Sequence, residues 1–190
     1  GDELTAWQKC VNEVTTTALA NGYPGLSGGM SGAPFDMLTD MLRGTVGIFM
    51  DMYRQPEKIH EAMERLVPIV IETAVTNAED SLCPIIMMPL HKGEKGFMSP
   101  KQFETFYWPT FKKVLLGIIE EGLVPMPFAE GNYIPRLEVI QDMPRASMIW
   151  YFEFMDMAAA KKTVGRNNCI YGNLPISIMV TGTPEQVQEG

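Results

Sequence analysis

Proton transfer near neutral pH needs a histidine or a carboxylate in an unusual setting, and this sequence has few candidates. It contains only two histidines, His60 and His91. His91 follows the apolar run from Cys83 to Leu90 and precedes Lys92-Gly93-Glu94-Lys95-Gly96, so it either reaches a pocket or is a satisfied loop residue. His60 sits one residue after Ile59 in a helical pattern and reads as a surface or packing residue. Glu130 is the sharper carboxylate, because Met126-Pro127-Phe128-Ala129 precedes it and Gly131 follows. A carboxyl in apolar surroundings must either rise in pKa or find a cation. Glu153 stands likewise after Ile149-Trp150-Tyr151-Phe152. Asp156, three residues on, reads as a helix N-cap in preference to a catalytic group. Glu130, His91 and Glu153 are acceptable ligand types for zinc or another divalent ion. Their spacing does not test this, since ligands on different strands converge only in the fold.

The elements that must position these residues alternate. Leu4 to Ala20 reads as an amphipathic helix ending near Asn21-Gly22. The glycine-rich passage Tyr23 to Ser31 has neither GxGxxG nor GxxxxGK[ST], and reads as a strand end and tight turn with close backbone approach, or as a substrate-lining loop. Ala33 to Arg43 is a short helix closed by Gly44, and Pro56 opens a long one whose buried stripe runs from Ile59 to Ala74, with a kink expected at Pro68. After that, apolar runs at Cys83–Leu90, Leu123–Phe128, Ala146–Phe152 and Cys169–Tyr171 are separated by helical segments at Ser99–Glu121, Ile134–Ile140 and Met157–Val164. Ser99, Pro100 and Gln102 make a capping box with proline in the first turn. This order predicts βαβ units in a parallel sheet, α/β in class, with strands covered on both faces. In a (β/α)8 barrel the C-terminal strand ends carry the active site, which points to the junctions at His91, Glu130, Glu153 and Gly172-Asn173.

Composition narrows the function. A chain of 190 residues with 46% hydrophobic and 20% charged residues can bury one ordinary core, and a single domain over 1–190 is expected. The net charge of −8, with Lys112-Lys113 and Lys161-Lys162 as isolated pairs, argues against a nucleic-acid partner. Cys10, Cys83 and Cys169 are scattered and fit reduced thiols in a cytoplasmic protein. No apolar segment is long enough to span a bilayer, so no membrane partner is expected. The fifteen methionines read as adaptable core filling, or as a cofactor-facing or interface surface.

The segments Gly32-Ala33-Pro34-Phe35-Asp36-Met37-Leu38-Thr39, Gly96 to Pro109, Gly131-Asn132-Tyr133, Gly172-Asn173-Leu174-Pro175 and Gly182-Thr183-Pro184-Glu185-Gln186-Val187 together resemble the uroporphyrinogen decarboxylase superfamily. That superfamily includes corrinoid-dependent methyltransferases as well as the decarboxylase. The resemblance implies a TIM-type (β/α)8 barrel, of which this chain would be the larger C-terminal part. An incomplete barrel implies an oligomer, or association with the missing part, to cover its edges. Against the decarboxylase pattern, a family tyrosine falls at Asp40 and a family serine at Leu90. Against the zinc motif of the methylcobamide:coenzyme M methyltransferases, Phe128-Ala129-Glu130-Gly131 stands where His-x-Cys-Gly is found, and Met179 and Val180 stand near the later cysteine. The resemblance therefore implies a methyltransferase relative working with a corrinoid carried by a partner protein on a small methylated substrate. Glu130 and His91 are its candidate catalytic residues, and Glu130, His91 and Glu153 its candidate metal ligands. Asp40, Asn132, Tyr151 and Asn173 are candidates for substrate binding, with Tyr151 alternatively plain core. A decarboxylase-like lyase and a non-catalytic binding or assembly module are the alternatives.

Overall fold

The computed structural model describes residues 1–23, 25, 27–79, 81, 83–174 and 176–189. Pro175 of the Gly172–Pro175 motif and the closing Gly190 lie outside the described residues. The element order is α1 (Asp2–Ala20), β1 (Gly29–Met30), α2 (Pro34–Met37), α3 (Thr45–Arg54), α4 (Pro56–Glu79), β2 (Ile85–Leu90), α5 (Pro100–Gln102), α6 (Trp108–Glu120), β3 (Val124–Asn132), α7 (Leu137–Ile140), β4 (Ile149–Phe154), α8 (Met157–Lys162), β5 (Cys169–Gly172), α9 (Ile176–Thr181) and α10 (Pro184–Glu189). The strands form one sheet in the order β1-β2-β3-β4-β5, every neighbouring pair parallel. Consecutive parallel strands joined by helices are the construction of a (β/α)8 barrel, and among the described residues the sheet is an open part of one.

Alternation along the strands sets what faces what. Ile86, Met88 and Leu90 of β2 are fully buried, as are Ala129 of β3 and Phe152 of β4, and they pack with Met63 and Val70 of α4 and Val114, Leu115 and Ile118 of α6. The intervening residues, Phe128, Tyr151 and Tyr171, stand on the other side as a ladder across β3, β4 and β5, with ring centroids 4.3 Å and 4.5 Å apart. Pro125 and Pro127 fall in β3 ahead of Phe128, where its pairing with β4 begins, so the ladder does not miss their absent N–H groups.

Local chemistry explains the helix starts. Ser99 Oγ accepts from the Gln102 amide and Gln102 Oε1 from the Ser99 amide, the expected capping box. The Asp156 carboxylate accepts from the Ala159 amide, so the N-cap reading holds. Gly28 confirms the close-approach reading of the glycine-rich passage: a Cβ there would lie 1.7 Å from the Cys83 carbonyl oxygen. The helix expected over Ala33–Arg43 is α2 running into a π-helical turn at Leu38–Arg43, and a second π-helical turn at Phe103–Tyr107 links α5 to α6. Helix α3, missed in the sequence, is tied by Asp51 to Arg43 of the first of these turns. Helix α4 continues through Pro68. Among the described residues no helix is long and apolar enough to cross a membrane.

Candidate functional site

The C-terminal end of β2 delivers His91 and Lys92, and both turn onto Asp40 of the first π-helical turn. His91 Nδ1 lies 2.6 Å from one Asp40 oxygen and Lys92 Nζ 3.0 Å from the other. Burial tends to raise the Asp40 pKa, but the hydrogen bonds and charges of His91 and Lys92 outweigh it and hold the carboxyl below its ordinary value. The Asp40 hydrogen bond raises the His91 pKa; burial opposes that, and the charges of Asp36, Glu130 and Asp40 reinforce it. With Nδ1 taken, Nε2 is the free position of the ring, and it points toward Glu130, 3.8 Å from its nearer oxygen. His91 and Glu130 are both partly exposed, so a ligand can reach them.

Beneath this pair lies Asp36, which sequence reasoning passed over. It is 4% exposed, and its carboxylate accepts from the His91 amide at 3.0 Å, the Lys92 amide at 2.9 Å and the Tyr107 hydroxyl at 2.6 Å. Burial pushes its pKa up to about 6, against the pull of those three donors. Burial likewise drives the Tyr107 and Tyr133 hydroxyls well above their ordinary value, with the Asp36 charge adding to it. Arg136, almost wholly buried, donates to the carbonyls of Gly93 and Met98 and fixes the loop after β2. The available signal for Asp36 was a carboxylate in the otherwise apolar Ala33-Pro34-Phe35-Asp36-Met37-Leu38.

The remaining expected residues stand at the ends of β3 to β5. Gly131 has a φ of +79°, a turn that L side chains rarely adopt, and its amide donates to Glu153 at 2.7 Å. Asn132 accepts from the Ile134 amide at 3.1 Å, which closes the local turn. Asn173 donates to the Met155 carbonyl at 2.5 Å. Tyr151 is the middle rung of the aromatic ladder. The expected trio of metal ligands is not gathered in this arrangement: His91 Nδ1 is committed to Asp40, and Glu153 is bonded to backbone. Among the described residues no group of three His, Cys, Asp or Glu side chains is placed to hold a metal ion. The donor set thus does not fit a closed protein-held metal site, and no chemical step is derived through one.

What is assembled is a carboxylate–imidazole pair, Asp40 on His91 Nδ1, with Glu130 facing Nε2. An imidazole oriented at one nitrogen by a carboxylate can exchange a proton at its other nitrogen. Comparison with curated proteins gives no match. The family model described as Uroporphyrinogen decarboxylase (URO-D) matches residues 13–190, nearly the whole chain. A parallel sheet with its polar side chains gathered at the C-terminal strand ends, together with that match, places this chain in the uroporphyrinogen decarboxylase family.

Proposed function

We propose that this protein is a methyltransferase that takes the methyl group from a small neutral or cationic methylated substrate and works with a corrinoid carried by a partner protein. The observation that carries the reading is the Asp40–His91 hydrogen bond, which leaves His91 Nε2 as a proton donor facing Glu130. The corrinoid, when its carrier is bound, supplies the nucleophile that accepts the methyl carbon. As the bond between that carbon and its heteroatom breaks, the heteroatom keeps the electron pair, and His91 Nε2 gives it a proton. Asp40 keeps the ring in the tautomer and orientation that make Nε2 the donor, and its negative charge favours the imidazolium before transfer. Exposed Met41, Leu42 and Phe97, beside Asp40 and Lys92, suit the apolar face of a large macrocycle.

Charge supports this over the lyase reading. Glu94, Glu130 and Glu153 stand at or just after the C-terminal ends of β2, β3 and β4, and Asp40 is already paired with Lys92. Lys92 is held by Asp40 and Arg136 by backbone carbonyls, so neither meets an incoming carboxylate. A polycarboxylate tetrapyrrole would enter against that field, whereas a methyl ether or methylamine would not. The test is anaerobic mixing of the protein with cob(I)alamin and, in turn, methanol, methylamines and a methoxybenzoate, following the visible spectrum. Methylation of the corrinoid from one donor, lost with His91→Gln, is the expected result. Decarboxylation of uroporphyrinogen III without any methyl transfer would overturn the reading in favour of the lyase.

A further inference from the structure

Asp36 and Asp40 stand one helical turn apart and hold the same two residues in different ways. Asp40 takes the side chains of His91 and Lys92; Asp36, below it, takes their backbone amides. We propose that Asp36 is a positioning residue for the acid His91, fixing the backbone where β2 ends so that the imidazole meets Asp40 and turns Nε2 toward the substrate. This rests on the reading of His91 as the acid.

The case is geometric. Each Asp36 oxygen binds a successive amide, Oδ2 that of His91 and Oδ1 that of Lys92, so the carboxylate bridges one peptide unit and fixes its plane. The Tyr107 hydroxyl binds the same Oδ2 from the second π-helical turn, locking the carboxylate in turn. The groups facing Asp36 are His91 and Lys92 after β2, Tyr107 between α5 and α6, and Tyr133 after β3. Among the described residues the carboxylate's hydrogen-bond partners are all neutral, and Lys92 Nζ goes to Asp40 instead. A buried carboxylate held by neutral donors is a costly way to stabilise a fold, and burial does raise its pKa. It is a good way to impose one backbone geometry on a strand end, because a charged acceptor binds amides about twice as strongly as a neutral one. An asparagine there would offer one oxygen and would turn its NH2 toward a donor.

The experiment has a readout that does not depend on methyl transfer. In the full chain, the His91 and Lys92 amides should exchange with solvent at least about 100-fold more slowly than that of Gly96, a ratio set by the opening free energy of their bonds. NMR of the imidazole should show a low-field Nδ1 proton bound to Asp40, lost in Asp36→Asn and kept in Tyr107→Phe, which leaves both amide bonds intact. In methyl transfer, Asp36→Asn should lower kcat about 100-fold with KM changed less than about threefold. Combined with Asp40→Asn, its effect should be far from additive, as for groups acting through one partner. Unprotected amides, or an Nδ1 signal unchanged in Asp36→Asn, would overturn the proposal. If the wild type transfers no methyl group while exchange and NMR behave as expected, the reaction assignment fails and the positioning role stands.

Discussion

The two ends of the same sheet edge use their polar residues differently. After β2 and β3, side chains meet one another as well as backbone: His91 and Lys92 meet Asp40, and His91 faces Glu130, above the backbone bonds of Asp36 and Arg136. After β4 and β5, side chains meet backbone: Glu153 binds the Gly131 amide, Asn173 the Met155 carbonyl and Asp156 the Ala159 amide. A side chain bonded to its own backbone is spent on holding a turn. A histidine paired to a carboxylate through one nitrogen still has another to offer. Under the proposed function, equivalent positions at strand ends thus divide into a reactive half and a supporting half.

The largest expected effect falls in the reactive half. His91→Gln should lower kcat/KM for methyl transfer by about 1000-fold, the range of a lost general acid, and Asp40→Asn by about 100-fold. The Asn173→Ala variant should stay within about threefold of wild type. Steady-state kinetics on these variants check the division; a collapse of activity in Asn173→Ala with stability intact would erase it.

Stability against pH gives the next effect. The Asp36 carboxyl has a value of about 6 in the fold against 3.8 as its ordinary value, so folding favours its protonated form. The stabilisation is full below 3.8 and is lost as pH rises through about 6, amounting to about 3 kcal/mol at most. His91, also raised, adds a loss in the same direction as pH climbs above its ordinary 6.5. Asp40, lowered, acts oppositely, and only in the more acid range below its ordinary value. The melting temperature should therefore fall between pH 4.5 and 8, and in Asp36→Asn the part between about pH 4 and 6 should vanish. An unchanged slope in that variant would mean that Asp36 is not the group titrating.

These contrasts also show which features the sequence could carry. The Ser99 capping box and the Asp156 cap depend on partners three residues away, so spacing alone reveals them. The strand-helix alternation and the junctions at His91 and Glu130 follow from apolar runs broken by polar residues. Asp36 draws its meaning from His91 and Tyr107, 55 and 71 residues away, and no local pattern records that. Asp40 was legible only as a substrate-side residue, because its partner is 51 residues away. Helix α3 was missed because Gly44, read as the close of the preceding helix, is also the N-cap of the next one, and the π-helical turns carry no periodic signature.

At the opposite, N-terminal ends of β4 and β5, Asn168 is 7% exposed and its one side-chain oxygen accepts from two amides, those of Ser147 and Met148. Asn168→Ala should cost about 2 kcal/mol, from leaving buried donors unpaired, with little change in kcat. Denaturant unfolding and kinetics on one preparation separate the two quantities.

The smallest effect is the most discriminating for Glu153, which lies on the border between the halves. Its carboxylate accepts the Gly131 amide, and Gly131 directly follows Glu130. If that bond is its whole role, Glu153→Gln should be nearly silent, because a glutamine oxygen accepts the same N–H. Stability should then change by less than about 0.5 kcal/mol and activity hardly at all. Glu130→Gln, which removes a charge facing His91 and nothing that holds backbone, should reduce activity with stability kept. The opposite pattern, a tenfold loss in Glu153→Gln together with loss of a stoichiometric divalent ion, would mean that Glu153 swings to a common ligand with Glu130 and His91. The reactive half would then extend to β4, and the acid assigned to His91 would give way to a ligand.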